Sequence, residues 1–247
     1  MKQLTTLMLA VMALFFTSCQ FTENIYINPD GSGKVSLDFD ASSIMQMAGD
    51  EISEEGEKAI DSVFSFKEVL KEKQDSIAQL SKAEQERLKK MEKFSMRMQM
   101  DPAEKTMMFN MFADFKNVGE IEDLFSAMNN AQQFSDKAGA NGTPLSDAFS
   151  GETTATSYSY KGNVFKRISK VTNKELQAQY LDSLGEMKMM LASSNYKLNY
   201  HFPKKIKTVS REDVMFSEDR KSMTLTMNFI EYLSNPEGLN VEVELED

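Results

Sequence analysis

The sequence predicts an α+β fold, with an antiparallel sheet built from hairpins and helices packed on one face. Short runs that alternate apolar and polar residues recur in pairs around turn residues. Segments with helical apolar spacing fall between these pairs, not after every strand as in a parallel sheet. No fixed-period repeat runs through the chain, which excludes a solenoid.

The first pair lies in Ile25 to Phe39, around Pro29-Asp-Gly-Ser-Gly33, where proline presets φ and the glycines accept positive φ. This stretch lacks the ligand spacing and closing glutamate of a calcium loop, and no Gly-Lys-Ser/Thr follows to cradle phosphate, so it reads as a plain turn. From Ser42 to about Glu92 the pattern is helical, with acidic residues early and basic ones late. Ser65-Phe-Lys-Glu68 and Ser81-Lys-Ala-Glu84 have capping-box spacing, which predicts two or three short helices instead of one rod. Val63, Leu70, Ile77 and Met91 recur at seven or fourteen residues, but Glu84 interrupts the stripe, which favours packing on the protein's own sheet over a partner coiled coil.

Phe94-Ser-Met-Arg-Met-Gln-Met100 alternates strictly and puts Phe94, Met96, Met98 and Met100 on one face. After a turn at Asp101-Pro-Ala-Glu-Lys105, Met107, Phe109, Met111, Ala113 and Phe115 share one face of a second strand. A helix is expected from about Val118 to Gln133. Residues 135–157 are dominated by Ser, Thr, Gly and Ala and read as a flexible loop or linker between parts 19–134 and 158–247, which can still share one domain. Beyond it come a hairpin around Gly162-Asn163, and a helix capped by Thr172-Asn-Lys-Glu175 with an apolar stripe of Leu176, Tyr180, Leu184, Met187 and Leu191. Strands follow at 196–202, 222–229 and 239–245, with a helical turn near Tyr232 and a stop at Asn235-Pro236.

Composition limits the partners. The chain has 247 residues, 28 basic and 38 acidic, for a net charge of -10. An acidic surface repels nucleic acid, whose phosphates need a basic footprint. The local exception, Lys204-Lys-Ile-Lys207, reads as the solvated end of a strand before it reads as a headgroup site. A single cysteine, Cys19, excludes an intramolecular disulfide and a cysteine-cluster metal site.

The position of that cysteine is informative. Residues 1–18 begin with Lys2, continue through an apolar run from Leu4 to Phe16 and end in small polar residues, the layout of a secretory signal peptide too short to span a bilayer of ~30 Å. Phe16-Thr-Ser-Cys19 resembles the lipobox of bacterial lipoproteins, with small residues at Thr17 and Ser18 and an aromatic departure at Phe16. The resemblance implies diacylglycerol and further acylation, such as palmitate, on Cys19, cleavage before it, and membrane association through the lipidated N-terminus. The alternative is an ordinary secretory signal with a coincidental cysteine. Each buried methylene contributes ~0.8 kcal/mol, so several acyl chains on one residue give a stable anchor. Cleavage removes Lys2 and leaves 27 basic against 38 acidic residues, a net charge of -11. Gln20, in place of aspartate, after the cysteine implies release to the outer membrane. The five residues between Cys19 and Ile25 reach at most ~18 Å, which puts the body against the headgroups and the first hairpin toward lipid or a membrane-embedded partner.

Tyr200-His-Phe-Pro-Lys-Lys-Ile-Lys207 and Asn235-Pro-Glu-Gly-Leu-Asn-Val-Glu-Val243, with the early Asp30-Gly-Ser-Gly33 turn, resemble bacterial envelope lipoproteins, some of which are loosely similar to the LppM-type domain. The resemblance implies a lipid-anchored α+β domain and transfers no functional residues.

Methionine is abundant, at 19 copies. Thioethers at Met96, Met98 and Met100 project together, an arrangement that can select Cu(I) and is similar to the methionine pairs of periplasmic copper chaperones. Those sites usually add His or Trp, whereas this chain has no Trp and its one His, His201, lies in a distant strand. Core packing against Phe94, Phe109 and Phe115 is the favoured reading, and a Met/Phe face that accepts a lipid or another hydrophobic ligand lies between the two. No Gly-x-Ser-x-Gly, His-Glu-x-x-His or Walker sequence occurs, and pairs such as Asp38/Asp40 and Glu242/Glu244 read as solvated strand faces. The expectation is a non-enzymatic protein with no cofactor and a binding or structural role at the cell envelope, an envelope protein or a hydrophobic ligand being the candidate partners.

Overall fold

Two sheets, of eight and four strands, organise the computed structural model, which describes residues 20–48, 58–121, 153–185 and 187–247. The larger has eight strands: β1 (Gln20–Ile27), β2 (Gly33–Asp40), β3 (Ile60–Ser65), β4 (Ser95–Asp101), β5 (Thr106–Phe115), β8 (Asn195–His201), β10 (Met215–Phe216) and β11 (Ser222–Asn228), in the order β10-β11-β8-β1-β2-β5-β4-β3. The smaller has four: β6 (Thr154–Lys161), β7 (Val164–Val171), β9 (Ile206–Val209) and β12 (Val241–Leu245), in the order β6-β7-β12-β9. The α+β class is as predicted, and the pairing is antiparallel except that β1 runs parallel to β8. The large sheet thus draws strands from both sides of residues 135–157.

Alternation decides which face each side chain takes. Inward on the large sheet point Phe21 and Ile25 of β1, Val35 and Leu37 of β2, Met111 and Ala113 of β5, and Tyr196, Leu198 and Tyr200 of β8, all buried. Phe229, Phe21, Phe39 and Phe109 stack in a row across this face, with successive ring centroids 4.0, 4.5 and 6.1 Å apart. The opposite face is polar. Thr224 donates to Asn199 (2.9 Å), Asn199 to Asn24 (3.2 Å), Asn24 to Asp38 (2.9 Å), and Asn110 to the other oxygen of Asp38, so one side-chain ladder crosses five strands.

Sheet and helices together cover the inner face. The small sheet meets it where Phe165 packs edge-on to Tyr200 and Phe202, at 5.3 and 5.4 Å. Beside it lie α5 (Lys174–Ser183), α6 (Met187–Leu191) and α7 (Phe229–Ser234), with Tyr232 of α7 stacked on Tyr196 at 4.2 Å. Under the β3–β4 end lie α2 (Phe66–Glu72), α3 (Gln74–Ile77) and α4 (Lys82–Met91), which bury Phe66, Leu70, Leu88 and Met91.

Several local expectations change. The helical reading of Ser42 to Glu92 holds for α1 (Ser42–Ala48) and α2 to α4, but β3 interrupts it as an edge strand on β4. Val63, part of the expected stripe, is 60% exposed there. Ser81 and Glu84 form the full capping box, whereas Ser65 ends β3 and makes no side-chain cap. Val118–Glu120 is a 3-10 turn that ends at the extended residue Ile121, and residues 122–133 of the expected helix lie outside the described residues. Residues 154–157, placed in the linker, belong to β6; the linker up to residue 152 lies outside the described residues. Asn173, not Thr172, caps α5 by accepting from the Leu176 amide, and Gly185 at φ +49 separates α5 from α6.

The first hairpin carries a sharp local constraint. A β-carbon on Gly33 would collide with the Tyr26 carbonyl oxygen and the Phe115 ring, whereas Gly31 at φ +82 faces open space. Gly33→Ala is expected to lower unfolding free energy by ~1–3 kcal/mol through overpacking. Gly31→Ala should cost ~1–2 kcal/mol through its backbone conformation alone. Urea titrations of the two variants check this; a Gly33→Ala midpoint equal to the parent's would contradict the close approach.

Candidate functional site

The most unusual chemistry lies between the two sheets. Glu23 points inward from β1 in a register row otherwise made of Leu198, Leu225, Leu37, Met111 and Met96. It is 2% exposed. Charge in such a place persists only if it is paired and hydrogen-bonded. The Tyr158 and Tyr200 hydroxyls donate to its Oε1 at 2.8 and 2.6 Å, and the Tyr196 hydroxyl donates to Oε2 at 2.7 Å. Tyr196 and Tyr200 flank Leu198 on β8, next to β1, while Tyr158 reaches across from β6.

Arg167, 1% exposed on β7, supplies the opposing charge. Its Nε lies 3.6 Å from Glu23 Oε1, a charge contact without a hydrogen bond, and its Nη1 donates to Ser169 Oγ (2.9 Å) and the Leu239 carbonyl (3.3 Å). Burial acts to lower the Arg167 pKa, but the Glu23 charge and the surrounding tyrosines outweigh it and hold the value well above the ordinary one. Burial first, then the Glu23 charge, pushes Tyr196 and Tyr200 well above the usual phenol value, so both stay neutral donors. Three hydroxyls occupy the carboxylate, and neither Glu23 nor Arg167 meets solvent. Chemically, the cluster ties one sheet to the other.

The residues singled out from sequence lie elsewhere. Cys19 is outside the described residues, one position before β1. Met96, Met98 and Met100 do share the inward face of β4, each half-buried, and pair in register with Met111, Phe109 and Met107. Phe109 and Phe39 beside them are also only partly buried, so the Met/Phe face continues the core into a half-covered region. Among the described residues no group of three His, Cys, Asp or Glu side chains is placed to hold a metal. His201 is a β8 residue whose ring stacks on Tyr26 at 4.2 Å and whose Nδ1 lies 2.8 Å from Ser222 Oγ; burial lowers its pKa, with Asp219 opposing. Lys207 pairs with Glu244 at 2.6 Å, at the solvated strand edge expected for it. A cleft of about 570 Å³ opens between α2, α3 and α4, floored by Leu70, Ile77 and Leu88 and rimmed by Lys67, Lys71 and Lys89.

Glu23 and Arg167 escaped the sequence reading, which began the first strand at Ile25. A signal was present: Phe21-x-Glu23-x-Ile25-x-Ile27 and Phe165-x-Arg167 each place one charge in an apolar register.

No protein-family model matches the chain, and no curated protein matches it. Among solved structures it is similar to the NMR structure of the folded domain of LppM from Mycobacterium tuberculosis, at 11% identity over 95% of both chains with a TM-score of 0.38. No helix among the described residues is long and apolar enough to cross a membrane.

Proposed function

We propose that this chain is an exported lipoprotein of the bacterial outer membrane, acylated at Cys19, whose α+β body acts by binding or scaffolding and not by catalysis. One observation carries the reading: the signal-like segment ends in Phe16-Thr-Ser-Cys19, and β1 begins at the next residue, Gln20. Cleavage before Cys19 would therefore remove none of the described fold and would leave the acylated residue at the head of its first strand. The enclosed Glu23 cluster supports a non-catalytic role, since its one carboxylate is already occupied by three hydroxyls. Cys19→Ser should release the protein from the envelope fraction and change its mass in the native host. Continued sedimentation of the variant with outer membranes at the parent's mass would defeat the proposal.

A second reading is favoured by the half-buried row of Met96, Met98, Met100 and Phe109: carriage of a lipid or other hydrophobic ligand on the inner sheet face. Native mass spectrometry of protein purified from its membrane should show co-purified lipid whose occupancy falls in Met98→Lys. Ligand-free protein in every preparation would count against carriage.

A further inference from the structure

The anchored end of the molecule is defined by register. Gln20 sits beside Asn195 of β8 and Asp40 of β2, and Asn195 in turn faces Asn228 of β11. With β1 starting directly after Cys19, no spacer of five residues separates the anchor from the sheet. The hairpin turn Pro29–Gly33, expected from the sequence to face lipid, lies at the far end of the strand. Ile27 lies seven residue steps along β1 from Gln20, a rise of ~23 Å.

The surface that does lie at the Gln20 end comes from much later in the chain. Helix α6 (Met187–Leu191) leads into β8 through residues 192–194, and Asn228 donates to the Ala192 carbonyl at 2.7 Å, which ties the end of α6 to the start of α7. Leu191 is fully buried and fixes the helix, while Met189 is 78% exposed, the highest exposure of any large apolar side chain among the described residues. Lys188, next to it, is exposed and has no ion pair among the described residues. Across the sheet at the same end, Met107 pairs with Met100 and Met100 with Ile60, and Ile60 is 40% exposed.

We infer that the Gln20 end of the large sheet is a bilayer-docking surface, with Met189 seated among the lipid headgroups and Lys188 beside phosphate. This deepens the lipoprotein reading and rests on an anchor at Cys19. An acyl chain inserted at that residue fixes the neighbouring end of the fold within reach of the membrane. An exposed flexible thioether with an adjacent ammonium suits a boundary that is apolar on one side and anionic on the other. The occupant is a phospholipid surface.

The chain contains no tryptophan, so a single introduced indole reports its own surroundings. The chain from Cys19 onward is coupled through its sole thiol to a maleimide phospholipid in phosphatidylcholine–phosphatidylglycerol vesicles, in three variants: Met189→Trp, Ile60→Trp and Tyr26→Trp. Tyr26, 47% exposed, lies ~20 Å along β1 from Gln20 and serves as the distant reference. Circular dichroism before coupling establishes that each variant is folded. Coupling is expected to shift the emission of Met189→Trp to shorter wavelength and make it sensitive to brominated phosphatidylcholine, with Ile60→Trp showing the same change, while Tyr26→Trp keeps its aqueous spectrum. Met189→Trp emission that stays aqueous on the vesicle, or quenching no stronger than that of Tyr26→Trp, overturns the inference. Chemical coupling bypasses cellular acylation, so failure of the Cys19→Ser experiment and failure here are separate results.

Discussion

Glu23→Leu is expected to be the most destabilising substitution at any polar residue of this protein, at more than ~3–5 kcal/mol, the range for breaking a buried ion pair by removing one partner. The loss is larger than for the pair alone because the hydroxyls of Tyr158, Tyr196 and Tyr200 would lose their common acceptor, each such hydrogen bond to a charged group contributing ~1.5–3 kcal/mol. Arg167→Met should cost less, because the three hydroxyls still satisfy the carboxylate it leaves behind. Glu23→Gln, which keeps an acceptor oxygen, should fall between the parent and Glu23→Leu. Urea titration of the three variants gives the order; Arg167→Met more damaging than Glu23→Leu would show that charge, not hydroxyl satisfaction, holds the cluster. The same geometry sets an alkaline limit. Tyr196 and Tyr200 are raised in the folded state, so the stability these two confer is complete below the free tyrosine value of ~10 and is lost as pH rises through their shifted values.

Phe21→Ala is expected to cost ~3–5 kcal/mol, as large-to-small changes of buried aromatic residues do. Phe21 is fully buried and held between Phe39 and Phe229, so its removal opens the stack on both sides and cuts β2 off from α7. Each lost aromatic pair adds ~0.5–1.5 kcal/mol beyond the area term. Tyr26→Ala, on the outer face of the same strand, should stay below ~1 kcal/mol. Equal midpoints for the two alanine variants would mean that β1 is not seated as described.

What could be read from the sequence was local. Period-two alternation located β2, β4, β5, β8 and β11, and Ser81-Lys-Ala-Glu84 located the start of α4, because both signals are complete within one element. β3 escaped because Ile60-Asp-Ser-Val-Phe-Ser65 is an edge strand with mostly exposed residues, so neither of its faces needs a clean apolar register. The parallel pairing of β1 with β8 joins residues some 175 positions apart, Gln20 with Asn195, and no periodicity encodes a partner at that distance. Glu23 was concealed for the same reason. A glutamate in a strand ordinarily faces water, and what makes this one buried is a set of three tyrosines on two other strands and an arginine on the second sheet.

The placement of β1 has a mechanical consequence. It is an interior strand, bonded along its length to β2 on one side and β8 on the other. Tension applied at the residue before Gln20 runs along the strand axis and loads both ladders in shear. A chain held by an edge strand would unzip bond by bond under drag; this one, if held at Cys19 as proposed, would have to rupture two rows together before the body came away.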